Sequence, residues 1–404
     1  MTIGSCNYIT DKGNTFIAKR RFSGMYNENS YKNTLVMNTI KGNEHIIDLS
    51  NIEKDDDIIP INLEEYFDTI KIINLETNEN SLIGYVDKVE IVNDNIFVLD
   101  GSITHSIHRF DMNGKYLNDI GCRGNAPGEY AIPTDIAVES DSTIVVLDGN
   151  QLKVIRYSFD GRYIDSHRIN FFAMQVAMLE NGEYIFRGKN SQNYHLGDLP
   201  DYYLWTCDSS MNIKYKGYYF DHNSTGNIYT YNLLKNCNGN LYFTDVSSDS
   251  IYRVYPDHLE MIAYLKYPEN KHNLEMLHPD HMKDYKAMVN NGEFYKIGDY
   301  AIADDYIIIS IATPLVRIFL YNIHTKDLTE ITQFNTGTKK LGNIPRLCNV
   351  YGEFYVGVES SEFSHMFMED CIDEIPKDNL VRRIYDSTKP EDNPVIVLLH
   401  PKKR

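Results

Sequence analysis

The amino-acid sequence predicts an all-β fold built from a repeated unit. Two similar segments, IFVLDG from Ile96 and IVVLDG from Ile144, lie 48 positions apart. Each is followed by an alternating polar and apolar segment that contains a tight turn. Periods in the forties with several strands per unit are typical of β-propellers. Six such units are recognisable, so the sequence predicts a six-bladed β-propeller.

The predicted blades follow one another without long gaps. Weaker copies of the strand pair begin at Asn240 and Asp304. The six units cover residues 86–121, 133–170, 175–220, 228–267, 297–333 and 345–400.

The hydrophobic pattern distinguishes inner strands from outer strands. Ile144–Leu147 is a continuous apolar run, as expected for a strand that is covered on both faces. Lys115–Asn118 alternates, as expected for an outer strand with one wet face. A parallel α/β sheet would need helical crossovers, and the connections here are too short for them.

Turn residues support antiparallel pairing within each unit. Asn113-Gly114, Asp160-Gly161, Asn181-Gly182 and Asn238-Gly239 each separate two strand-like runs. Asn, Asp and Gly tolerate the positive φ that two-residue hairpins require. The sequence therefore predicts β-hairpins at these four positions.

The two ends of the propeller carry additional strands. Glu44–Leu49 precedes the first unit, and Asn393–Leu399 ends the last. We expect N- and C-terminal strands to complete one blade together, because closing the ring removes an open sheet edge. Residues 269–290 and 360–385 are charged and helix-like. We expect them to be partly helical insertions on a rim.

Composition excludes several function classes. The formal net charge is −18, and such an acidic surface repels nucleic acid. The chain has no run of 18 or more apolar residues, which a membrane-spanning helix would need. None of the six cysteines forms a CxxC pair, so the spacing fits neither a zinc knuckle nor a dense disulfide framework. The spacing still allows one or two disulfides.

The segment before Cys6 resembles the end of a bacterial lipoprotein signal. Ile3, Gly4 and Ser5 precede Cys6, but the charged and apolar portions of a signal are absent. Either the start is trimmed and Cys6 carries a lipid, or Cys6 is an ordinary residue. The predicted organisation is an N-terminal segment of residues 1–39, a lead-in and tether, followed by the propeller at residues 40–404.

A Gly- and Pro-rich stretch between the first two units looks at first like a phosphate-binding loop. Its glycine spacing does not match GxGxxG, no Gly-Lys-Ser or Gly-Lys-Thr is present, and a β-type run follows instead of a helix. We predict a structural crossover in which Glu129 accepts backbone N–H bonds. The residues of this turn are Gly121, Gly124, Pro127, Gly128, Glu129 and Pro133.

Three aspartates recur once per blade at the ends of apolar strands. Asp100, Asp148 and Asp245 are predicted to cap turns by accepting backbone N–H bonds, rather than to line a channel for a cation.

Two histidine clusters raise the question of a metal site. His105 and His108 do not share a side on a strand or loop, so they are predicted to be surface polar residues. His278 and His281 with Asp280 have zinc-ligand chemistry. However, Pro279 between them indicates a helix start, where an acid suits the helix dipole. No metal site is predicted at either place.

Catalytic motifs are also missing from the sequence. Neither GxSxG nor HExxH occurs. We therefore predict no catalytic residues and no cofactor, although convergence of side chains from several blades is invisible in one sequence.

Several short motifs, in order, resemble those of the six-bladed, NHL-like propellers of bacterial cell-surface lipoproteins. The resemblance covers roughly residues 40–400 and implies a periplasmic or outer-membrane location. The matching residues are Leu75–Thr77, Leu82–Gly84, Val98–Asp100, Phe110–Asp111, Gly114–Leu117, Arg123–Gly124, Pro127–Tyr130 and Asn393–Pro394.

The predicted function is a non-catalytic binding or scaffolding module of the bacterial cell envelope. It would present a rim face to a protein or glycan partner, with a lipid anchor as the only membrane contact and no nucleic-acid partner. The alternative is a metal-dependent hydrolase or lyase, lactonase-like, that uses the central channel; it rests on fold analogy alone.

Overall fold

The structure confirms an all-β propeller of six blades in a ring. It is a computed structural model that describes most of the chain. The described residues are 31–50, 63–188, 193–219, 233–245, 248–267, 295–303, 305–312, 316–331, 345–369 and 372–403.

The strands follow the predicted units closely. In chain order they are β1 (Leu35–Val36), β2 (Asn38–Asp48), β3 (Phe67–Asn74), β4 (Lys88–Val92), β5 (Asn95–Asp100), β6 (Ser106–Asp111), β7 (Tyr116–Asp119), β8 (Asp135–Ser140), β9 (Thr143–Asp148), β10 (Lys153–Ser158), β11 (Tyr163–Arg168), β12 (Ala173–Met178), β13 (Tyr184–Gly188), β14 (Tyr202–Cys207), β15 (Ile213–Tyr219), β16 (Leu234–Cys237), β17 (Asn240–Phe243), β18 (Ser250–Val254), β19 (His258–Lys266), β20 (Tyr295–Ile302), β21 (Tyr306–Ala312), β22 (Val316–Asn322), β23 (Leu328–Glu330), β24 (Arg346–Tyr351), β25 (Phe354–Glu359) and β26 (Val395–Pro401).

Each blade is an antiparallel sheet of sequential strands, with the first strand innermost. Blades 3, 4 and 6 also receive a strand from the N-terminal part of the chain. The sheets are β4–β7 in blade 1, β8–β11 in blade 2, β12–β15 with β1 in blade 3, β16–β19 with β2 in blade 4, β20–β23 in blade 5, and β24–β26 with β3 in blade 6.

Strand β9 shows why the second strand of a blade is a continuous apolar run. All six of its residues are buried. Ile144 and Val146 pack in a cluster with side chains of blade 1. Val145 and Leu147 pack in a cluster with side chains of blade 3. Alternate apolar residues of the strand therefore pack against the two neighbouring blades.

The ring is closed by strands from both ends, as predicted, but a different N-terminal strand does the closing. β26 pairs with β3 in antiparallel register, from Val395 with Asn74 to Pro401 with Phe67. The predicted strand at Glu44–Leu49 belongs instead to β2, which runs parallel to β19 at the outer edge of blade 4. The closing strand must run antiparallel to β26 and bury an apolar face, which β3 achieves with Phe67 and Ile73.

The N-terminal lead-in contributes two edge strands. β1 pairs in parallel with β15 of blade 3, and β2 pairs in parallel with β19 of blade 4. The tether predicted for residues 1–39 and the lipid site at Cys6 remain predictions, because residues 1–30 lie outside the described part of the chain.

The second predicted insertion is partly helical, between β25 and β26. It contains α1 (Ser361–Met368) and α2 (Leu380–Ser387), and the predicted insertion at 269–290 lies outside the described residues. Ser360 caps α1 by accepting the Phe363 N–H. None of the helices in the described segments has the length and hydropathy to cross a bilayer.

Short 3₁₀ turns complete the described secondary structure. They lie at Leu63–Glu65, Tyr194–Leu196, Leu199–Asp201 and Ile372–Glu374.

The ring closure is expected to strengthen on acidification below neutral pH. In β26, His400 Nδ1 lies 2.7 Å from Asp68 Oδ1 of β3, and Nε2 lies 3.2 Å from Glu353 Oε2. Burial opposes the charge, but the hydrogen bonds with Glu353 and Asp68 outweigh it and raise the pKa of His400 above 6.5. A raised folded-state pKa gives stability that is complete below the unfolded pKa and is lost as pH rises through the folded value.

Urea unfolding across a pH series tests this expectation. The unfolding free energy of the protein should exceed that of its His400→Gln variant by more at about pH 5.5 than at about pH 8.5. His324→Gln is the control, since that imidazole is two-thirds exposed. Parallel pH profiles for the protein and H400Q would contradict the expectation.

Candidate functional site

The propeller has two distinct ends, which the inner strands define. Lys88 at the start of β4 pairs with Leu99 near the end of β5. The connections that enter each blade and the turns between second and third strands therefore lie at one end. We call this end the crossover face. It includes residues 75–87, 101–105 and 120–134, and also the chain after β25 that leads into α1.

Two of the recurring aspartates bind backbone N–H groups on this face, which confirms the predicted capping. Asp100 Oδ2 accepts the Gly84 N–H at 2.7 Å, and Oδ1 accepts the Ile103 N–H at 2.8 Å. Asp148 likewise joins an entering connection to its own turn, through Ala131 N at 2.6 Å and Gln151 N at 2.8 Å. Both carboxylates are fully buried, and Asp245 is buried as well.

The Gly- and Pro-rich stretch forms the connection from blade 1 to blade 2. Gly121 has φ of +67°, and a Cβ there would lie 2.6 Å from the ring of Tyr157. Glu129 Oε2 accepts the Ala126 N–H at 2.8 Å. Pro133 lies further along, where its carbonyl closely approaches Gly101. The stretch has the geometry of a tight loop that is packed against the neighbouring blade.

The prediction that His108 is a surface residue was wrong. His108 is buried; Nδ1 lies 2.7 Å from Asp119 Oδ1, and Nε2 lies 2.8 Å from Ser106 Oγ. His105 instead has positive φ and bonds the Gly101 carbonyl. The imidazole of His108 points inward because the third strand of a blade is covered on both faces.

The other predicted metal candidates can be placed only in part. His278, Asp280 and His281 lie outside the described residues. Within the described segments, no group of three or more His, Cys, Asp or Glu side chains is arranged to hold a metal. The four cysteines described there are free thiols: Cys122, Cys207, Cys237 and Cys348.

A buried ionic triad joins blades 1 and 2 beside the channel axis. Lys88 Nζ donates to the Ile136 carbonyl at 2.6 Å and lies 3.0 Å from Asp135 Oδ1 and 3.3 Å from Glu90 Oε1. Burial disfavours the ammonium charge, but the two carboxylates outweigh it and raise the pKa of Lys88. Burial also raises the pKa values of Asp135 and Glu90, against the opposing effect of Lys88.

Polar side chains of other first strands make the same kind of connection. Asn349 Nδ2 in blade 6 donates to the Val89 carbonyl of blade 1 at 3.1 Å. Gln175 in blade 3 accepts from Leu234 N and donates to Leu234 O of blade 4. Lys235 in blade 4 donates to the Tyr300 carbonyl of blade 5 at 2.8 Å. We call these connections and the triad the axial belt.

The axial belt was not predicted from the sequence. Its only signal is a polar residue within a short, otherwise apolar first strand, such as Gln175 in AMQVAM. Only the assembled ring shows that each of these side chains reaches into the next blade.

A cavity of about 140 Å³ lies between blades 1, 2 and 3 at the crossover face. Its polar wall includes Ser102, Thr134, Asp135, Gln175 and Arg187. The Arg187 side chain is buried, and its Nε donates to Gln175 Oε1 at 2.8 Å. The cavity thus offers charged and polar groups from three blades to a small chemical group.

An exposed group of apolar side chains lies at the same face, which we call the crossover patch. Its members are Leu82, Tyr85, Ile103, Phe363 and Met366. Two contacts join the segments that carry them. A Cβ on Gly84 would touch the side chain of Ile103. Asn393 bonds both Ile83 N and Ser361 Oγ at the start of α1.

Removing one of the buried caps is expected to destabilise the fold strongly. Asp148→Ala leaves the N–H groups of Ala131, Asn150 and Gln151 without their acceptor. The expected loss in unfolding free energy is about 3 kcal/mol or more by chemical denaturation. Asp141→Ala, at an exposed turn of the same blade, should change it by less than about 0.5 kcal/mol. Similar losses for the two variants would contradict the capping role.

Breaking the ionic triad is expected to lower the free energy of unfolding by an amount that depends on pH. Lys88→Met leaves Glu90 and Asp135 buried without their cation, at a cost of about 3–5 kcal/mol near pH 8. Because burial raises both carboxyl pKa values, protonation should reduce this cost as pH falls towards 5. Unfolding curves at the two pH values provide the measurement. Lys115→Met, in an exposed turn, is the control; a pH-independent K88M deficit would contradict the expectation.

Comparison with known proteins agrees with this architecture. A crystal structure of a Bacteroides fragilis NCTC 9343 protein, inferred to be exported, matches with a TM-score of 0.71 at 18% identity, covering 89% of this chain and 100% of that one. A DUF4221 member from Bacteroides vulgatus ATCC 8482 matches with a TM-score of 0.50 at 13% identity, covering 83% and 97%. Such identities show the fold alone. The model of a domain of unknown function, DUF4934, matches residues 44–400, and the chain therefore belongs to the DUF4934 family.

Proposed function

We propose that this chain is a non-catalytic binding module of the bacterial cell envelope that recognises a protein partner through its crossover face. The observation that carries the proposal is the crossover patch beside the cavity. Met and aromatic side chains are enriched at the centres of protein interfaces, and the patch includes Tyr85, Phe363 and Met366. Clustered exposed apolar side chains mark interaction sites more often than scattered ones do.

The edge of the patch also carries an anchoring residue typical of interfaces. The Arg346 guanidinium lies 5.3 Å from the centre of the Tyr85 ring and bonds the Tyr85 hydroxyl at 2.9 Å. This stacking holds the half-exposed ring in one orientation. A preordered aromatic side chain loses less conformational freedom on binding, which favours affinity.

The chemistry of the axial belt supports binding rather than catalysis. The Lys88 ammonium has three donors, and Ile136 O, Asp135 and Glu90 provide three acceptors. Asp135 also accepts the Val176 N–H. These charged groups are engaged with one another and with the backbone, whereas a general acid or base must reach the reacting atoms of a substrate.

The compartment is part of the proposal. The B. fragilis protein with a similar fold is inferred to be exported, and the sequence resembles NHL-like lipoproteins of the cell surface. Both favour an extracytoplasmic location, and lipid attachment at Cys6 is part of the same proposal. A lipid tether would keep the propeller near other envelope proteins.

Site-specific photo-crosslinking in the native bacterium tests the proposal. A photoreactive amino acid at Ile103 or Phe363 should give a discrete protein adduct, because both side chains lie in the crossover patch. The same amino acid at Leu117 or Ile164 should not, since these residues are about as exposed as Phe363 but lie on the outermost strands of blades 1 and 2. An Ile103→Asp substitution should reduce the Phe363 adduct by at least about tenfold.

Three outcomes are distinguishable. Adducts from the patch alone support the proposal. Adducts only from the outer strands would place recognition elsewhere and overturn it. Absence of protein adducts together with glycan binding by the purified chain would make the partner a glycan and overturn the assignment of a protein.

A further inference from the structure

Arg187 has an incomplete set of partners for a buried charge. It lies on β13 and is 9% exposed, and burial lowers the pKa of its guanidinium. Its Nε donates to Gln175 Oε1, and no salt bridge joins it to a carboxylate among the described residues. Asp135 and Asp245 act on it only from beyond ion-pair distance. A buried charge without a paired anion is costly, so this position needs a functional explanation.

The cavity supplies that explanation. Arg187 is one of its wall residues, so the guanidinium borders open space between blades 1, 2 and 3. Nε is occupied by Gln175, which leaves the two terminal nitrogens for a ligand. Gln175 is itself fixed by two hydrogen bonds to Leu234 of blade 4, so the guanidinium plane is held before any ligand arrives.

The other charged wall residues limit the charge of the ligand. Lys88 is neutralised within the triad, and Asp135 accepts from Lys88 and Val176 N. Asp87 accepts the N–H and the hydroxyl of Ser102, and burial raises its pKa. Two carboxyl groups in the wall would repel a phosphate dianion. A single negative charge with two coplanar oxygens matches the guanidinium fork.

We infer that this cavity binds a carboxylate group through the terminal nitrogens of Arg187. Leu99, Ile132, Pro133 and Met174 form an apolar wall for the carbon atoms that carry the carboxylate. A volume of about 140 Å³ suits one small acid or one acidic residue of a peptide rather than a larger molecule. The inference rests on the proposed recognition at the crossover face, and it names the chemical group that this face selects.

Matched acids and amides test the inference with the purified chain. N-acetylglycine is compared with N-acetylglycinamide, and a short peptide with a free C-terminus is compared with its amidated form. Calorimetry or ligand-observed NMR should show binding of the acids only. Arg187→Met should weaken acid binding by about 10- to 100-fold, because two charge-assisted hydrogen bonds are lost. Arg187→Lys, which keeps the charge but loses the fork, should give an intermediate affinity.

Arg253→Met is the matched control. It removes the same charge from blade 4, where Arg253 bonds Asn240 and stacks on Tyr255 away from the cavity, and it should leave acid binding unchanged. R187M should remain folded, since replacing a buried unpaired cation by an apolar side chain is not expected to destabilise the protein. Its unfolding midpoint is measured beside the binding assay.

The result of each arm is decisive. Tighter binding of the free-terminus peptide than of N-acetylglycine identifies a partner's carboxylate as the source, and the reverse order identifies a free small acid. Equal binding of acid and amide, or equal acid binding by R187M and the unmodified chain, would overturn the inference. The crosslinks from Ile103 are measured independently in R187M, so their persistence would leave the proposed function standing when the carboxylate site fails.

Discussion

The structure depends on one constraint: the second strands of the blades, such as β9, carry apolar side chains on both faces. Ile144 and Val146 of β9 face blade 1, and Val145 and Leu147 face blade 3. A single blade with such a strand would expose both apolar faces to water, and a blade with one neighbour would still expose one of them. Only a closed ring gives every blade two neighbours. Closure by β3 and β26 is therefore a condition for burying the core of all six blades.

The axial belt solves a second problem that the ring creates. The first strand of each blade is a sheet edge, and the N–H and C=O groups on its channel side have no strand to pair with. Side chains of adjacent blades bond these groups instead: Lys88 with Ile136 O, Asn349 with Val89 O, and Lys235 with Tyr300 O. The same bonds join blade 1 to blades 2 and 6, and blade 4 to blade 5. The hydrogen bonds that satisfy these edge groups therefore also hold adjacent blades together.

How far the fold can be predicted follows from which contacts are local. The repeated apolar strands and the Asn-Gly and Asp-Gly turns are encoded within each unit, so six blades were predictable. The strand that closes blade 6 was not, because β2 and β3 both precede the first unit and their partners lie hundreds of residues away. The belt was equally hidden, since Asn349 and Val89 are 260 positions apart.

In the candidate site, too, contacts within one unit were predictable and contacts between blades were not. Capping by Asp100 and Asp148 was predictable because each aspartate bonds its own turn and the connection just before its blade. The burial of His108 and the partners of Arg187 depend on neighbouring strands and blades that no short motif specifies. In the axial belt, the Lys88 ammonium has an acceptor for each of its three donors. Arg187 lies at the same level with one side-chain acceptor and open space beside it. In a ring whose geometry is fixed by satisfied contacts, a held but incompletely paired cation has the preorganisation that ligand recognition requires.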